Sequence, residues 1–311
     1  TRPMSSFELV EIKSSLGLRE TSPALLFDDD DGRIAEKTGI NKIHRSDISA
    51  YELGVQAVGK LECLPDIRDD LEYVIYVTQS PSYFLPNHAS RLQNECGISQ
   101  STMCFDINQG CSGFVQALVL MNSLLGGSQG LGLIVCTDTY SKHLSSEDRS
   151  TQVLFSDGAT ATVVKGGGRW EILAASHLTD GSGADMLSKN IDPNSNLVMN
   201  GAGVFQWTRR ELGKQIKALL ADNEFDIDQI DRFYLHQASK LVVTNVLKSL
   251  SVDQERAPTS LHITGNLVSS SIPFLLEQDL PGFNASKYLI MSGFGVGLSV
   301  SSCLLSNTCN D

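Results

Sequence analysis

The chain has no excess of positive charge. Its 24 lysines and arginines stand against 36 aspartates and glutamates, a formal net charge of −12. A general nucleic-acid binder carries the opposite, basic footprint, so that class is argued against. No apolar run approaches the roughly 20 residues that a membrane-spanning helix needs. The first residues lack the charged, apolar and small-residue order of a signal peptide, and a cytoplasmic protein with no membrane association is expected. The seven cysteines, at 63, 96, 104, 111, 136, 303 and 309, are odd in number and contain no C-x-x-C pair. Neither a disulfide framework nor a zinc site follows from such a set. Asp28 to Asp31, followed by Gly32, lacks the alternating ligands and distal glutamate of a calcium loop and reads as a solvated acidic turn. Lys42, His44 and Arg45 read as a surface face.

What is present is an ordinary globular composition, 41% hydrophobic and 19% charged over 311 residues, enough for one large or two medium cores. Apolar spacing predicts helices over 49–61, 88–96, 111–125, 209–220 and 239–250. Short continuous apolar runs at 73–78, 131–137, 158–164, 232–235, 288–291 and 298–305 read as strands covered on both faces. The stretch 7–16 fits a strand or a short helix equally. Helices alternating with buried strands indicate an α/β protein. The later strands repeat the earlier pattern, so an internal duplication is expected, with a seam in Lys165-Gly166-Gly167-Gly168-Arg169. The division is 1–168 and 169–311.

Cys111 stands at the start of a helix whose apolar face is Phe114, Val115, Leu118, Val119, Met121 and Leu125. A helix N-terminus favours a thiolate, so a nucleophile with a lowered pKa is expected. His236 closes a strand in Tyr234-Leu235-His236-Gln237-Ala238-Ser239, and Asn266 sits between Gly265 and a run of small residues reaching Ser271. A cysteine with a distant histidine and asparagine is the pattern of thiol-based acyl chemistry.

In these residues the chain resembles the type III β-ketoacyl-acyl-carrier-protein synthases of the thiolase-like superfamily. The resemblance runs from about Ala35 to Leu305. It is carried by Lys37-Thr38-Gly39-Ile40, Asp106 to Phe114 with its Cys-Ser-Gly-Phe core, Asp148-Arg149, Phe155-Ser156-Asp157-Gly158-Ala159, Met199-Asn200-Gly201, His236-Gln237-Ala238, Gly265-Asn266 and Gly293-Phe294-Gly295-Val296-Gly297. It implies a five-layer α-β-α-β-α fold of two similar halves, dimeric, with the active site where they meet. Cys111 would take an acyl group from a coenzyme A or acyl-carrier-protein thioester. A malonyl thioester would then lose carbon dioxide and attack it, with His236 and Asn266 donating to the enolate oxygen and the N–H groups of Cys111 and Gly295 forming the oxyanion hole.

The resemblance further implies a thioester tunnel with Arg33, Lys37, Arg149, Phe205 and Ser239, and no cofactor beyond the thioester substrates. Arg33 stands where relatives often have a tryptophan opposite Arg149, so no aromatic is expected there and an acyl-carrier-protein donor is favoured. Arg209, Arg210, Lys214 and Lys248 are the candidates for docking that acidic carrier. The alternative is a thiolase-fold acyltransferase that moves the acyl group to an alcohol or amine without decarboxylation, and Asn266 counts against it. A hydroxymethylglutaryl-coenzyme A synthase is disfavoured because Val77-Thr78-Gln79-Ser80 has no carboxylate.

Overall fold

Nine strands hydrogen-bond into one mixed sheet in the computed structural model, which describes residues 5–27 and 32–309. The acidic run Asp28 to Asp31 lies outside the described residues. In chain order the strands are β1 (Ser6–Leu16), β2 (Leu71–Val77), β3 (Met103–Ile107), β4 (Leu131–Asp138), β5 (Gly158–Gly166), β6 (Trp170–Thr179), β7 (Arg232–Leu235), β8 (Tyr288–Gly295) and β9 (Ser299–Asn307). Across the sheet they run β7-β8-β9-β6-β1-β5-β4-β2-β3.

The pairing directions reveal two series. β3 and β4 flank β2 in parallel, then β5 and β1 add on antiparallel. In the other series β7 and β8 are parallel, then β9 and β6 add on antiparallel. Apart from β3, the second series repeats the first in the same chain order. They join where Ser6 and Phe7 of β1 face Glu171 and Trp170 of β6. The expected division at residue 168 falls in the turn between β5 and β6.

Six longer helices cover the strands: α1 (Ala50–Gly59), α2 (His88–Glu95), α3 (Gly113–Leu125), α4 (Gly201–Ala221), α5 (Lys240–Leu250) and α6 (Ser271–Gln278). Successive side chains of a strand point to opposite faces, and β2 shows what this does. Val74 and Tyr76 pack outward with Leu53, Ala57 and Leu92 of α1 and α2. Ile75 and Val77 pack inward with Phe114, Leu118 and Met121 of α3. That inner core also takes Leu275 and Leu276 of α6 and Tyr234, Met291 and Leu305 of the second series. Leu212 and Ile216 of α4 and Val246 of α5 close the far face against Phe233, Ile290 and Val300. The layers are therefore α-β-α-β-α, with α3 and α6 in the middle.

Local sequence explains the boundaries. Ser49 and Glu52 form a capping box at α1, and Gly126, at φ +58, closes α3. α4 begins eight residues before the expected Arg209, because Asn200 accepts from Gly203 N and caps it there. β3 and β6 were not expected: their side chains are largely half-buried and mixed in character, so neither shows a clean apolar run. The 7–16 ambiguity resolves as the long strand β1. His44 is buried, its ring nitrogens 3.2 Å from the carbonyls of Gly17 and Ile263, which corrects its reading as a surface residue. Among the described residues no helix is long and apolar enough to cross a membrane.

Candidate active site

Cys111 sits one residue before Ser112, the residue that caps α3, and is 6% exposed. Two glycines of β8 let its turn approach the strand. A Cβ on Gly293 would fall 2.5 Å from the Cys111 carbonyl oxygen and 2.7 Å from Ser112 Cα. One on Gly295 would fall 3.0 Å from Cys111 Sγ. The glycine-rich run is thus a strand that presents bare backbone to the cysteine. The N–H groups directed at the thiol are those of Cys111 itself and Val296, one residue beyond Gly295.

Burial dominates the sulfur's ionisation. It pushes the Cys111 thiol up to about 12, the charge of Asp138 adds to this, and the two N–H groups only partly oppose it. The expected low-pKa thiolate is therefore corrected: at rest this is a neutral thiol in an apolar cluster with Tyr140, Leu144, Phe155, Leu187, Leu197 and Val268.

His236 follows β7 directly and is 1% exposed. Burial depresses its pKa to about 3, so the ring is neutral. Its Nδ1 lies 2.6 Å from Ser271 Oγ at the start of α6, and its ring stands edge-on to Phe294, between the two glycines that touch Cys111. Ser271 Oγ also accepts from Gln237 N at 3.4 Å. With its hydroxyl proton turned to Nδ1, the neutral ring carries its own proton on Nε2.

Asn266 is 4% exposed and its backbone pairs with Leu154 and Ser156 across an isolated bridge to Phe155, itself in the Cys111 cluster. Val268 N–H donates to Asn266 Oδ1 at 2.9 Å. The contacting atom must be the oxygen, which leaves the amide NH2 as the donor end, with no hydrogen-bond acceptor among the described residues. Cys111 and Asn266, 155 residues apart in sequence, share the neighbour Val268, and His236 rests against Phe294, which lies between the two glycines that touch Cys111.

A carboxylate escaped the sequence reading. Val77 to Ser80 contain none, but Asp138 at the end of β4 reaches that loop, accepting from Gln79 N at 2.8 Å and Ser80 Oγ at 3.3 Å. Its only sequence signal was an acid ending an apolar strand. Gln79 Oε1 in turn accepts from Tyr140 O–H at 2.8 Å and lies where a Gly110 Cβ would sit, 2.4 Å away.

The outer residues separate into groups. Arg149, exposed at the start of a short turn, lies with its guanidinium carbon 5.1 Å from the centroid of the Phe27 ring. An aromatic does face Arg149, contrary to expectation, and it comes from a different segment than Arg33. Arg33 and Lys37 are exposed on the short helix Arg33–Thr38, which ends at Gly39 against Lys240 of α5. Ser239 caps α5, its hydroxyl 3.4 Å from Val242 N. Phe205 is half-buried on α4, beside Val204, which packs against the Cys111 cluster. Arg209, Arg210 and Lys214 are exposed on α4 and Lys248 on α5; Arg210 pairs with Glu211. The helices cross where a Gly213 Cβ would fall 2.4 Å from Ser249 Oγ, and Lys217 reaches the Ser249 carbonyl there at 2.6 Å.

The chain is similar to known proteins over most of its length. Residues 105–181 match the family model 3-oxoacyl-[acyl-carrier-protein (ACP)] synthase III, and residues 220–306 match its C-terminal companion. A β-ketoacyl-[acyl-carrier-protein] synthase III of Streptococcus gordonii is 32% identical over 294 residues, covering 89% of this chain and 90% of that protein. The Streptococcus pneumoniae protein of the same name is 31% identical over 300 residues, covering 91% and 92%. Among solved structures, a 3-oxoacyl-(acyl-carrier protein) synthase from Burkholderia xenovorans superposes with a TM-score of 0.88 at 28% identity, covering 99% of this chain and 96% of that one.

Proposed function

Because this chain belongs to the 3-oxoacyl-[acyl-carrier-protein] synthase III family, we propose that it condenses an acyl primer with a malonyl thioester through an acyl-Cys111 intermediate. Residues 1–168 would carry the nucleophile and 169–311 the two donors, His236 and Asn266. One observation carries this reading: a neutral His236 with Nδ1 engaged and an Asn266 with Oδ1 engaged each keep an N–H donor, and they rest on Phe294 and Val268, the first flanked by the glycines that touch Cys111 and the second in the Cys111 cluster.

In the first half-reaction the Cys111 sulfur attacks the acyl thioester, the carrier thiolate leaves, and the thiol proton ends on that carrier. In the second, the malonyl carboxylate leaves as carbon dioxide. The electron pair becomes an enolate whose oxygen accepts from His236 and Asn266, a charge absent in the ground state and so a source of differential binding. The carbon attacks acyl-Cys111, the N–H groups of Cys111 and Val296, beside Gly295, receive the tetrahedral oxyanion, and collapse returns the sulfur, which takes up a proton. A 3-oxoacyl thioester results. Transfer to an alcohol or amine has no use for two enolate donors.

Arg33, Lys37, Arg149, Phe205 and Ser239 would line the approach of the thioester arm, and Arg209, Arg210, Lys214 and Lys248, joined by Lys217, would receive an acidic acyl carrier protein. A homodimer belongs to the same reading, supported by the edge position of β3 with Met103 57% exposed and by Phe84 at 86% exposure, and so does a cytoplasmic location. Phe27 stacked on Arg149 supports coenzyme A as a primer carrier.

Intact-mass spectrometry with acyl-coenzyme A and acyl-carrier-protein donors, followed by malonyl-acyl-carrier-protein, tests this. An acyl adduct absent in Cys111→Ala and discharged as a 3-oxoacyl thioester is expected. His236→Ala or Asn266→Ala should slow decarboxylation about 10²- to 10³-fold while the adduct still forms. Equal loss of both steps would contradict the assignment. Phe27→Ala should raise the KM for the coenzyme A donor about two- to fivefold, the worth of an exposed cation–π contact, without touching the carrier-protein donor.

A further inference from the structure

Asp138 has no exposure to solvent, and the bonds it accepts tie two separate loops together. Its Oδ1 holds the loop after β2 through Gln79 N and Ser80 Oγ. Its Oδ2 accepts from Ser269 Oγ at 2.5 Å and from Ser269 N at 3.3 Å. The second loop is the one that follows Asn266. Ser270 Oγ adds a bond to the Cys136 carbonyl of β4 at 2.8 Å.

Between Asn266 and Ser269 lies Val268, fully buried with φ +54. A β-branched residue rarely takes that conformation, and it persists only where the surroundings enforce it. In that conformation Val268 N–H meets Asn266 Oδ1, the bond that decides which end of the amide is free. The chain of contacts therefore runs from Asp138 through Ser269 and Val268 to the Asn266 NH2.

We propose that Asp138 is a positioning residue for the condensation: by pinning Ser269 it holds Val268 in its left-handed turn and so aims the Asn266 amide at the thioester oxygen. The inference rests on the synthase reading above. Asp138 touches no substrate in this role. Its second effect is electrostatic. Burial pushes its carboxyl up to about 7, and it faces Cys111, Cys136, Tyr76 and Tyr140, each of which its charge drives toward the neutral form.

Two variants and two readouts test the proposal. In Asp138→Asn the amide keeps the shape, but whichever way it turns, its NH2 confronts a backbone N–H, of Gln79 or of Ser269. Ser269→Ala removes only the short hydroxyl bond and is the safer fold. In a Cys111→Ala background, decarboxylation of malonyl-acyl-carrier-protein should fall about tenfold for Ser269→Ala, the worth of one hydrogen bond to a charged group, and further for Asp138→Asn. With Cys111 present, its acylation should stay within about threefold for Ser269→Ala, where the nucleophile's own contacts are intact, and should not fall for Asp138→Asn, where loss of the carboxylate charge favours the thiolate. The pH dependence of Cys111 alkylation by iodoacetamide should shift about one unit lower in Asp138→Asn, because a repelling charge is gone; a merely structural residue would not move it. Decarboxylation that survives in both variants, or equal loss of decarboxylation and acylation, overturns the proposal alone. Absence of malonyl decarboxylation in the protein with native Asp138 and Ser269 overturns the synthase reading and this inference with it.

Discussion

The turn that carries Cys111 and the loop that carries Asn266 occupy matching places, each leading into a middle-layer helix, α3 or α6. They are held in different ways. The Cys111 turn is fixed by backbone against backbone, where Gly293 and Gly295 have no side chain to keep β8 away. Asn266 itself is bridged by backbone to Leu154 and Ser156, but the loop beyond it, which orients the amide, is fixed by side chains, through Asp138 to Ser269 and through Ser270 to the Cys136 carbonyl. A nucleophile whose product oxyanion must meet two backbone N–H groups needs an approach with no slack, and deleting Cβ atoms provides it. A donor amide needs only an orientation, and a hydrogen-bonded tether can set that.

Breaking the backbone contact should have the largest effect. In Gly293→Ala the new Cβ meets the Cys111 carbonyl and Ser112 Cα, neither of which can swing aside. A displacement near 1 Å costs about 10²-fold in rate, so acylation of Cys111, followed by intact mass, should fall at least that far. Decarboxylation in a Cys111→Ala, Gly293→Ala protein should fall less, because only the His236 support through Ser292 and Phe294 is disturbed while the Asn266 tether is elsewhere. Gly110→Ala makes the sharper comparison: its Cβ would meet Gln79 Oε1 at 2.4 Å, the end of a side chain that can move. Its loss of acylation should stay below about tenfold, the worth of the Tyr140–Gln79 bond it disturbs. Equal effects of the two alanines would remove the distinction between rigid and yielding neighbours.

These two regions were not equally legible in the sequence. Cys111, His236 and Asn266 could be named because strand ends and helix starts are marked by apolar runs, glycines and small polar residues; the same alternation indicated an α/β protein, and the five-layer arrangement was implied by the family resemblance. The state of the sulfur could not. A helix N-terminus argues for a thiolate, but the enclosing shell of Tyr140, Phe155 and Val268 comes from distant segments and reverses the balance. Asp138 was missed for the same reason: nothing beside it in the chain discloses that Gln79 and Ser269, 59 and 131 residues away, converge on it. Phe27 faces Arg149 across a gap in sequence that no local pattern spans. Edge strand β3, with mostly half-buried side chains, has no pattern of its own.

The smallest expected effect separates the two regions by pH. His236 titrates near 3 because its buried ring resists charge, so it stays neutral as pH falls through the ordinary imidazole range. Its Nε2–H donor is therefore unchanged over that range. In a Cys111→Ala, Asp138→Asn protein, which no longer has the carboxyl that titrates near 7, the decarboxylation rate that remains should vary by less than about twofold between pH 5 and 8, with no break near the unperturbed imidazole value of about 6.5. Acylation in the native protein should instead rise across the same interval, because the Cys111 thiol, pushed up to about 12, gains thiolate throughout it. The rise should be shallower than the thiolate fraction alone predicts, since Asp138 ionises near 7 and its charge then opposes the thiolate. A decarboxylation profile that falls with a midpoint near 6.5 would mean that His236 charges inside the site. Enolate stabilisation would then belong to an imidazolium, and the Ser271 hydroxyl would have to accept from Nδ1 rather than donate to it.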